Sequence, residues 1–120
     1  MPADFRLSQP ALNDIDDILA TSHREFGEQA RRRYSALIAA ALDHASRSPG
    51  APMFKKRLEL GPEILSWHLR NSVVQSSEER VKRPRHILYC RWESELLAVG
   101  RVLHEVMDPR LHVDPDSDWE

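Results

Sequence analysis

The chain has a single cysteine, Cys90, in 120 residues. That excludes an internal disulfide framework and a cysteine-rich metal site, and its place inside an apolar run puts Cys90 in the interior. No apolar run approaches the roughly 20 residues that cross a bilayer, and Met1-Pro2-Ala3-Asp4-Phe5-Arg6 lacks the basic-then-apolar pattern of a leader. A cytoplasmic protein with no membrane association is the expectation. Lysine is scarce, at Lys55, Lys56 and Lys82 only, and no tyrosine follows Tyr89. The six histidines show no His-Glu-x-x-His spacing, so no metal and no cofactor is expected.

What is present suits one domain. The length supports a single modest core, and 41% hydrophobic with 30% charged residues is an ordinary soluble composition, which leaves no case for wholesale disorder. The net charge of −2 conceals a pattern: residues 1–28 sum to −4, residues 29–91 to +8 and residues 105–120 to −5. A basic middle between acidic ends favours an acidic partner or a phosphate backbone, although a solvated surface with no partner has the same composition.

Phe5 and Leu7 alternate with polar neighbours, as in a short half-buried strand. Helix punctuation follows, with Ser8 as N-cap, Pro10 in the first turn and Asp14, Asp16 and Asp17 near the positive end of the helix dipole. Leu12, Ile15, Ile18 and Leu19 define its apolar face, and Gly27 ends it. Ala30, Tyr34, Leu37, Ile38, Ala41, Leu42 and Ala45 recur at the spacing of a second helix, so short a connection folding the two into an antiparallel hairpin. Ser48-Pro49-Gly50-Ala51-Pro52 ends the hairpin. Leu65, Trp67 and Leu69 alternate with Ser66, His68 and Arg70, which predicts a strand over 65–70 with one wet face. Residues 71–84 are expected to form a long connecting loop, and 86–92 and 95–104 a strand hairpin. The fold class is α+β: an N-terminal strand and a helical hairpin on a C-terminal antiparallel sheet, in the order β-α-α-β-β-β. Residues 1–113 form the domain, and 114–120 an acidic tail expected to be mobile.

Three stretches of residues carry a family resemblance. Leu7-Ser8-Gln9-Pro10-Ala11-Leu12-Asn13-Asp14-Ile15-Asp16-Asp17-Ile18 resembles an L-S-x-x-A-x-x-D-[LI]-x-x-I strand-to-helix passage. Arg85-His86-Ile87-Leu88-Tyr89-Cys90-Arg91 is similar to an R-x-x-[IL]-x-Y-R strand. Arg101-Val102-Leu103-His104-Glu105-Val106-Met107-Asp108-Pro109-Arg110-Leu111-His112 resembles the R-V-L-H-x-x-M-D-x-x-R-H ending. Together they resemble the ParE branch of the RelE/ParE toxin superfamily over roughly residues 4–113. The departure is 71–82, longer than the usual connection there. The resemblance implies a cytosolic toxin of a type II toxin-antitoxin pair, neutralised by a ParD-like antitoxin and contributing to plasmid or genome stabilisation. ParE-type toxins are associated with inhibition of DNA gyrase. RelE-type relatives, by contrast, cut messenger RNA on the ribosome, and a shared fold does not decide between the two.

Cutting RNA needs a group to take the 2'-hydroxyl proton and cations to hold the phosphate. With all three lysines expected in loops and no late tyrosine, no catalytic residue is assigned; His68 and His104 are the acid-base candidates of the RNase alternative. Arg70, Arg85, Arg91 and Arg101, with His104, are the candidate contacts for antitoxin or target, since guanidinium groups hold carboxylates in pairs of hydrogen bonds. Their plain alternative is a set of solvated or locally paired side chains. No sequence-specific nucleic-acid binding is expected. Arg31-Arg32-Arg33 reads as a solvated helix face, Trp67 and Trp92 as packing residues, and His23, His44, His86 and His112 as surface or capping residues.

Overall fold

The computed structural model describes residues 4–116 and Trp119. Ser8 joins its first two elements, β1 (Phe5–Leu7) and α1 (Gln9–Phe26). Its hydroxyl accepts from Ala11 N at 3.1 Å, capping the helix, and donates to Gly100 O at 2.7 Å, tying that cap to the sheet. Gly27, at φ +93°, is the whole connection to α2 (Glu28–Ser46); a side chain there would be strained. α2 buries Leu37, Ile38, Ala41, Leu42 and Ala45, the stripe its sequence spacing defines. On α1 the stripe is rotated from the expected one. Ala11 is fully buried, Ile15, Ile18 and Leu19 pack beside the core, and Leu12 is exposed.

The sheet has five strands in the order β1-β5-β4-β3-β2, with β2 at Lys55–Lys56, β3 at Leu65–His68, β4 at His86–Glu93 and β5 at Leu96–His104. β1 runs parallel to β5, and every other pairing is antiparallel. This is the α+β architecture expected, with one strand added: Lys55 and Lys56, read from the sequence as loop, pair with Ser66 and Leu65. Two residues are too few for a period-two pattern to be visible. β3 also ends earlier than expected. After His68 the chain turns into a 3-10 helix, Leu69–Gln75, whose Leu69 and Ser72 are buried, so part of the long connection is ordered against α2. Trp67 Nε1 donates to Ser72 Oγ at 3.0 Å, and His44 Nδ1 lies 3.0 Å from the same oxygen, so His44 is built into the interior edge.

One irregularity decides which side chains face which way. Tyr89 pairs with Arg101 but Cys90 with Val99, so Gly100 stands unopposed in a β-bulge. Leu97 and Val99 face the helices; past the bulge Val102 does, and Leu103 turns to the outer face with Ala98. On the helix side, these residues join Trp67, Leu88 and Cys90 in the main core, where each large apolar side chain contributes roughly 1.5–3 kcal/mol by leaving water. Burial pushes the Cys90 thiol well above its ordinary pKa. The outer face is not simply wet. Leu60, Ile64, Tyr89, Ala98, Leu103 and Val113 form a second buried cluster there, which Trp119 completes. Trp119, placed by sequence in the acidic tail, is 2% exposed; positions 117, 118 and 120 of that tail lie outside the described residues.

Candidate functional site

The five candidate contacts do not gather on one surface. Strand register puts Arg91 and Arg101 on the outer face, and the bulge sends His104 to the helix side, opposite His86. Arg70 and Arg85 lie just outside the strands, both exposed. Arg101 faces Asp14 of α1 with Nε and Nη2 at 2.8 and 2.9 Å and donates from Nη1 to His112 O at 2.6 Å. Arg91 pairs with Glu93 and stacks over Trp119, its guanidinium carbon 4.9 Å from the ring centroid. Asp14 carries no sequence signal of this role beyond its place in the first turns of α1, because its partner lies 87 residues away.

Concave regions lie on both faces of the sheet among the described residues. The first is a groove of about 790 Å³ between the helical hairpin and the 79–85 segment, floored by Tyr34, His86 and His104. Apolar side chains reach it from Ile18, Phe26, Ala30 and Val81, and its charged lining is cationic on balance, Arg33, Arg80, Lys82, Arg83 and Arg85 against Asp17, Glu25 and Glu79. An ion pair between Arg33 and Glu79 fastens the segment to α2, so Arg33 is more than a solvated helix face. Tyr34 OH accepts from Arg85 N at 3.2 Å and shares a hydrogen bond with His86 Nδ1. Burial pushes the Tyr34 hydroxyl up to about 12 and His86 down to about 4, so both are neutral at pH 7. The His86 and His104 rings meet edge to face at 5.1 Å. Sequence reading placed His86 at the surface; it is half-buried, because it takes the helix-facing parity of Leu88 and Cys90.

The second is a cleft of about 300 Å³ on the outer face, lined by Lys55, Arg57, Ser66, His68, Arg70 and Glu105 among others. Glu105 binds His68 Nε2 at 2.9 Å through one carboxylate oxygen and Arg85 Nη1 at 2.8 Å through the other. The His68 hydrogen bond first, and then that of Arg85, hold its carboxyl down to about 2. Lys55 and Arg57 were missed as site residues because β2 was missed.

The geometry constrains the histidines further. Backbone N–H groups can only donate, so Arg70 N at 3.1 Å makes His68 Nδ1 an acceptor, and Val106 N at 3.1 Å does the same for His104 Nδ1. A neutral imidazole has one acceptor nitrogen, and in each ring it is already used. Among the described residues no group of three or more His, Cys, Asp or Glu is placed to hold a metal ion, and no helix is long and apolar enough to cross a membrane.

Nothing among the curated proteins matches the chain. A family model does, the ParE toxin of the type II toxin-antitoxin system parDE, over residues 5–109, which takes in every strand and helix from β1 to β5. With a strand, a helical hairpin and a mixed sheet in that order, the chain belongs to the ParE toxin family of the RelE/ParE superfamily and is a type II toxin-antitoxin toxin.

Proposed function

We propose that this toxin acts by binding rather than by cutting: it inhibits DNA gyrase stoichiometrically in the cytoplasm, is neutralised by a ParD-like antitoxin, and so stabilises the plasmid or genome that encodes the pair. Family membership supports the toxin, and the observation that carries the non-catalytic reading is the engagement of His68 Nδ1 and His104 Nδ1 by backbone donors. A general base needs a free lone pair within reach of the proton it takes. Neither histidine offers one without breaking a hydrogen bond, and Tyr34 is held by His86.

The antitoxin's place is the groove beside the hairpin. An amphipathic acidic segment matches it on both counts, apolar side chains entering between Phe26 and Val81 and carboxylates meeting Lys82, Arg83 and Arg85. His104 lies on the groove floor, so the candidate contacts Arg85 and His104 belong to this surface. Arg70, exposed on the rim of the outer cleft, is the contact assigned to the target; Arg91 is covered by Trp119, and Arg101 braces α1.

A supercoiling assay with purified gyrase tests the reading. Stoichiometric excess of the toxin should abolish supercoiling, Arg70→Ala should weaken that inhibition, and antitoxin should reverse it. Unchanged supercoiling in the presence of an otherwise lethal toxin would sink the gyrase assignment. Failure of the neighbouring reading frame's product to copurify with the toxin or rescue growth would sink the antitoxin assignment.

A second reading, a ribosome-dependent mRNA endoribonuclease, is favoured by one observation: Lys55 sits in a strand and shares the outer cleft with Arg57, His68 and Arg70, cations able to hold a phosphate. Codon-specific cuts in translated messages, lost in His68→Ala, would establish it in place of the first.

A further inference from the structure

Strand register lines up three residues across the outer face. Arg6 of β1 lies beside Ala98 of β5, and Ala98 beside Arg91 of β4. A methyl group between two long cationic side chains leaves a slot above itself, and Leu60, Ile64 and Val113 belong to the same buried cluster. Trp119 fills the slot. Arg91 stacks on its ring, and Arg6 Nη2 donates to its carbonyl oxygen at 2.7 Å. Glu93 ties the two arginines together, at 2.7 Å from Arg6 and 3.2 Å from Arg91. Among the described residues before Trp119, Asp114 and Asp116 flank Pro115 and all three are exposed.

The occupancy is incomplete in one respect. Trp119 Nε1 is buried with no hydrogen-bond partner among the described residues, and so is Arg6 Nε beside it. A buried donor without an acceptor weakens the closed arrangement, so a segment that supplies an acceptor there competes well with the chain's own tryptophan. With Glu93 between them, Arg6 and Arg91 still leave the slot one net positive charge, and Asp114 and Asp116 precede the tryptophan that fills it, so charge complementarity specifies the chemistry of a competitor.

We propose that the Arg6–Ala98–Arg91 slot is a docking site for an acidic protein segment bearing a tryptophan, and that Trp119 is a self-ligand that masks it until such a segment displaces it. The proposal does not depend on which protein the toxin attacks.

The probe is a fluorescein-labelled peptide of residues 112–120, His-Val-Asp-Pro-Asp-Ser-Asp-Trp-Glu, titrated by anisotropy into the full chain. A site open only part of the time binds with its affinity reduced by the open fraction, so Trp119→Ala should bind the peptide at least about tenfold more tightly than wild type. Adding Arg91→Ala should weaken that binding, and a peptide with its tryptophan replaced by alanine should not bind. If Trp119→Ala loses its fold by circular dichroism, wild type serves instead: saturating peptide should speed amide exchange at residues 112–114, 116 and 119, and the tryptophan-free peptide should not. Equal affinity for both peptides would mean charge attraction alone, and unchanged exchange with both would mean a permanent strap. Either result overturns the proposal.

Discussion

Arg101 holds Asp14 through two parallel hydrogen bonds, Nε to Oδ2 at 2.8 Å and Nη2 to Oδ1 at 2.9 Å, and so clamps α1 to β5. The same carboxylate accepts from Val102 N at 2.9 Å. β1 pairs with β5 only over residues 97–99, so beyond the bulge Asp14 stands where a strand neighbour would have accepted that N–H. Bidentate geometry makes the pair specific for arginine.

Arg101→Ala should therefore destabilise the fold by about 2–4 kcal/mol, because it leaves a largely buried carboxylate with one donor. Arg101→Lys should recover only part of this. Urea unfolding at pH 7 measures it through a lowered midpoint at unchanged slope. A cost below about 0.5 kcal/mol, with antitoxin or gyrase binding lost instead, would return Arg101 to the contact residues.

This clamp also marks where sequence reading stops. The helical hairpin was legible because Ser8, Pro10, Gly27 and the α2 stripe are local signals. β4 and β5 were legible as apolar runs, but their facing was not, since Gly100 reverses the parity halfway along β5. β2 was invisible at two residues, and with it the cation lining of the outer cleft. The candidate arginines were found by type, yet their roles depend on Asp14, Glu105 and Trp119, none of which is near them in sequence except Glu105, four residues from Arg101. Trp119 sits in a stretch whose acidity and proline suggested mobility, and only the second apolar cluster gives it a place.

His86 should make stability fall between pH 6.5 and pH 4. Burial holds its folded pKa down to about 4, below the ordinary 6.5, so over that interval the unfolded chain binds the additional proton. The contribution is fully present above pH 6.5 and is lost as pH falls through 4. NMR of the imidazole nitrogens should find His86 neutral at pH 5, and His86→Asn should flatten the decline in urea midpoint over this interval. A protonated His86 at pH 5 in the folded protein would contradict the buried arrangement with Tyr34.

Glu105 should act lower on the pH scale. With hydrogen bonds from His68 and Arg85 its carboxyl is held down to about 2 from 4.5, so its contribution is present above pH 4.5 and is lost as pH falls towards 2. Glu105→Gln should lose the stability above pH 4.5 and flatten acid unfolding below it, and, by removing a negative charge that raises the His86 pKa, should carry the His86 limb slightly lower in pH. An acid limb identical to wild type would mean that the exposed carboxylate is screened by water and contributes nothing to the fold.

The groove beside the hairpin supports the last prediction, which separates antitoxin binding from toxicity. Phe26 is 74% exposed, an unusual placement for a phenylalanine at the end of a helix, and Lys82 stands across the groove from it without touching the core. Phe26→Asp and Lys82→Glu should each leave the fold intact, since neither removes a buried contact. Both should weaken binding of an amphipathic acidic antitoxin segment by about tenfold or more, which corresponds to about 1.4 kcal/mol. The charge reversal should act mainly on the association rate and fade with added salt, whereas Phe26→Asp should speed dissociation at every salt concentration. Surface plasmon resonance with immobilised antitoxin resolves both rates. Since neither residue borders the outer cleft, gyrase inhibition should stay at the wild-type level. If both variants bind antitoxin normally while Arg70→Ala does not, the antitoxin covers the outer face of the sheet, and the groove belongs to some other partner.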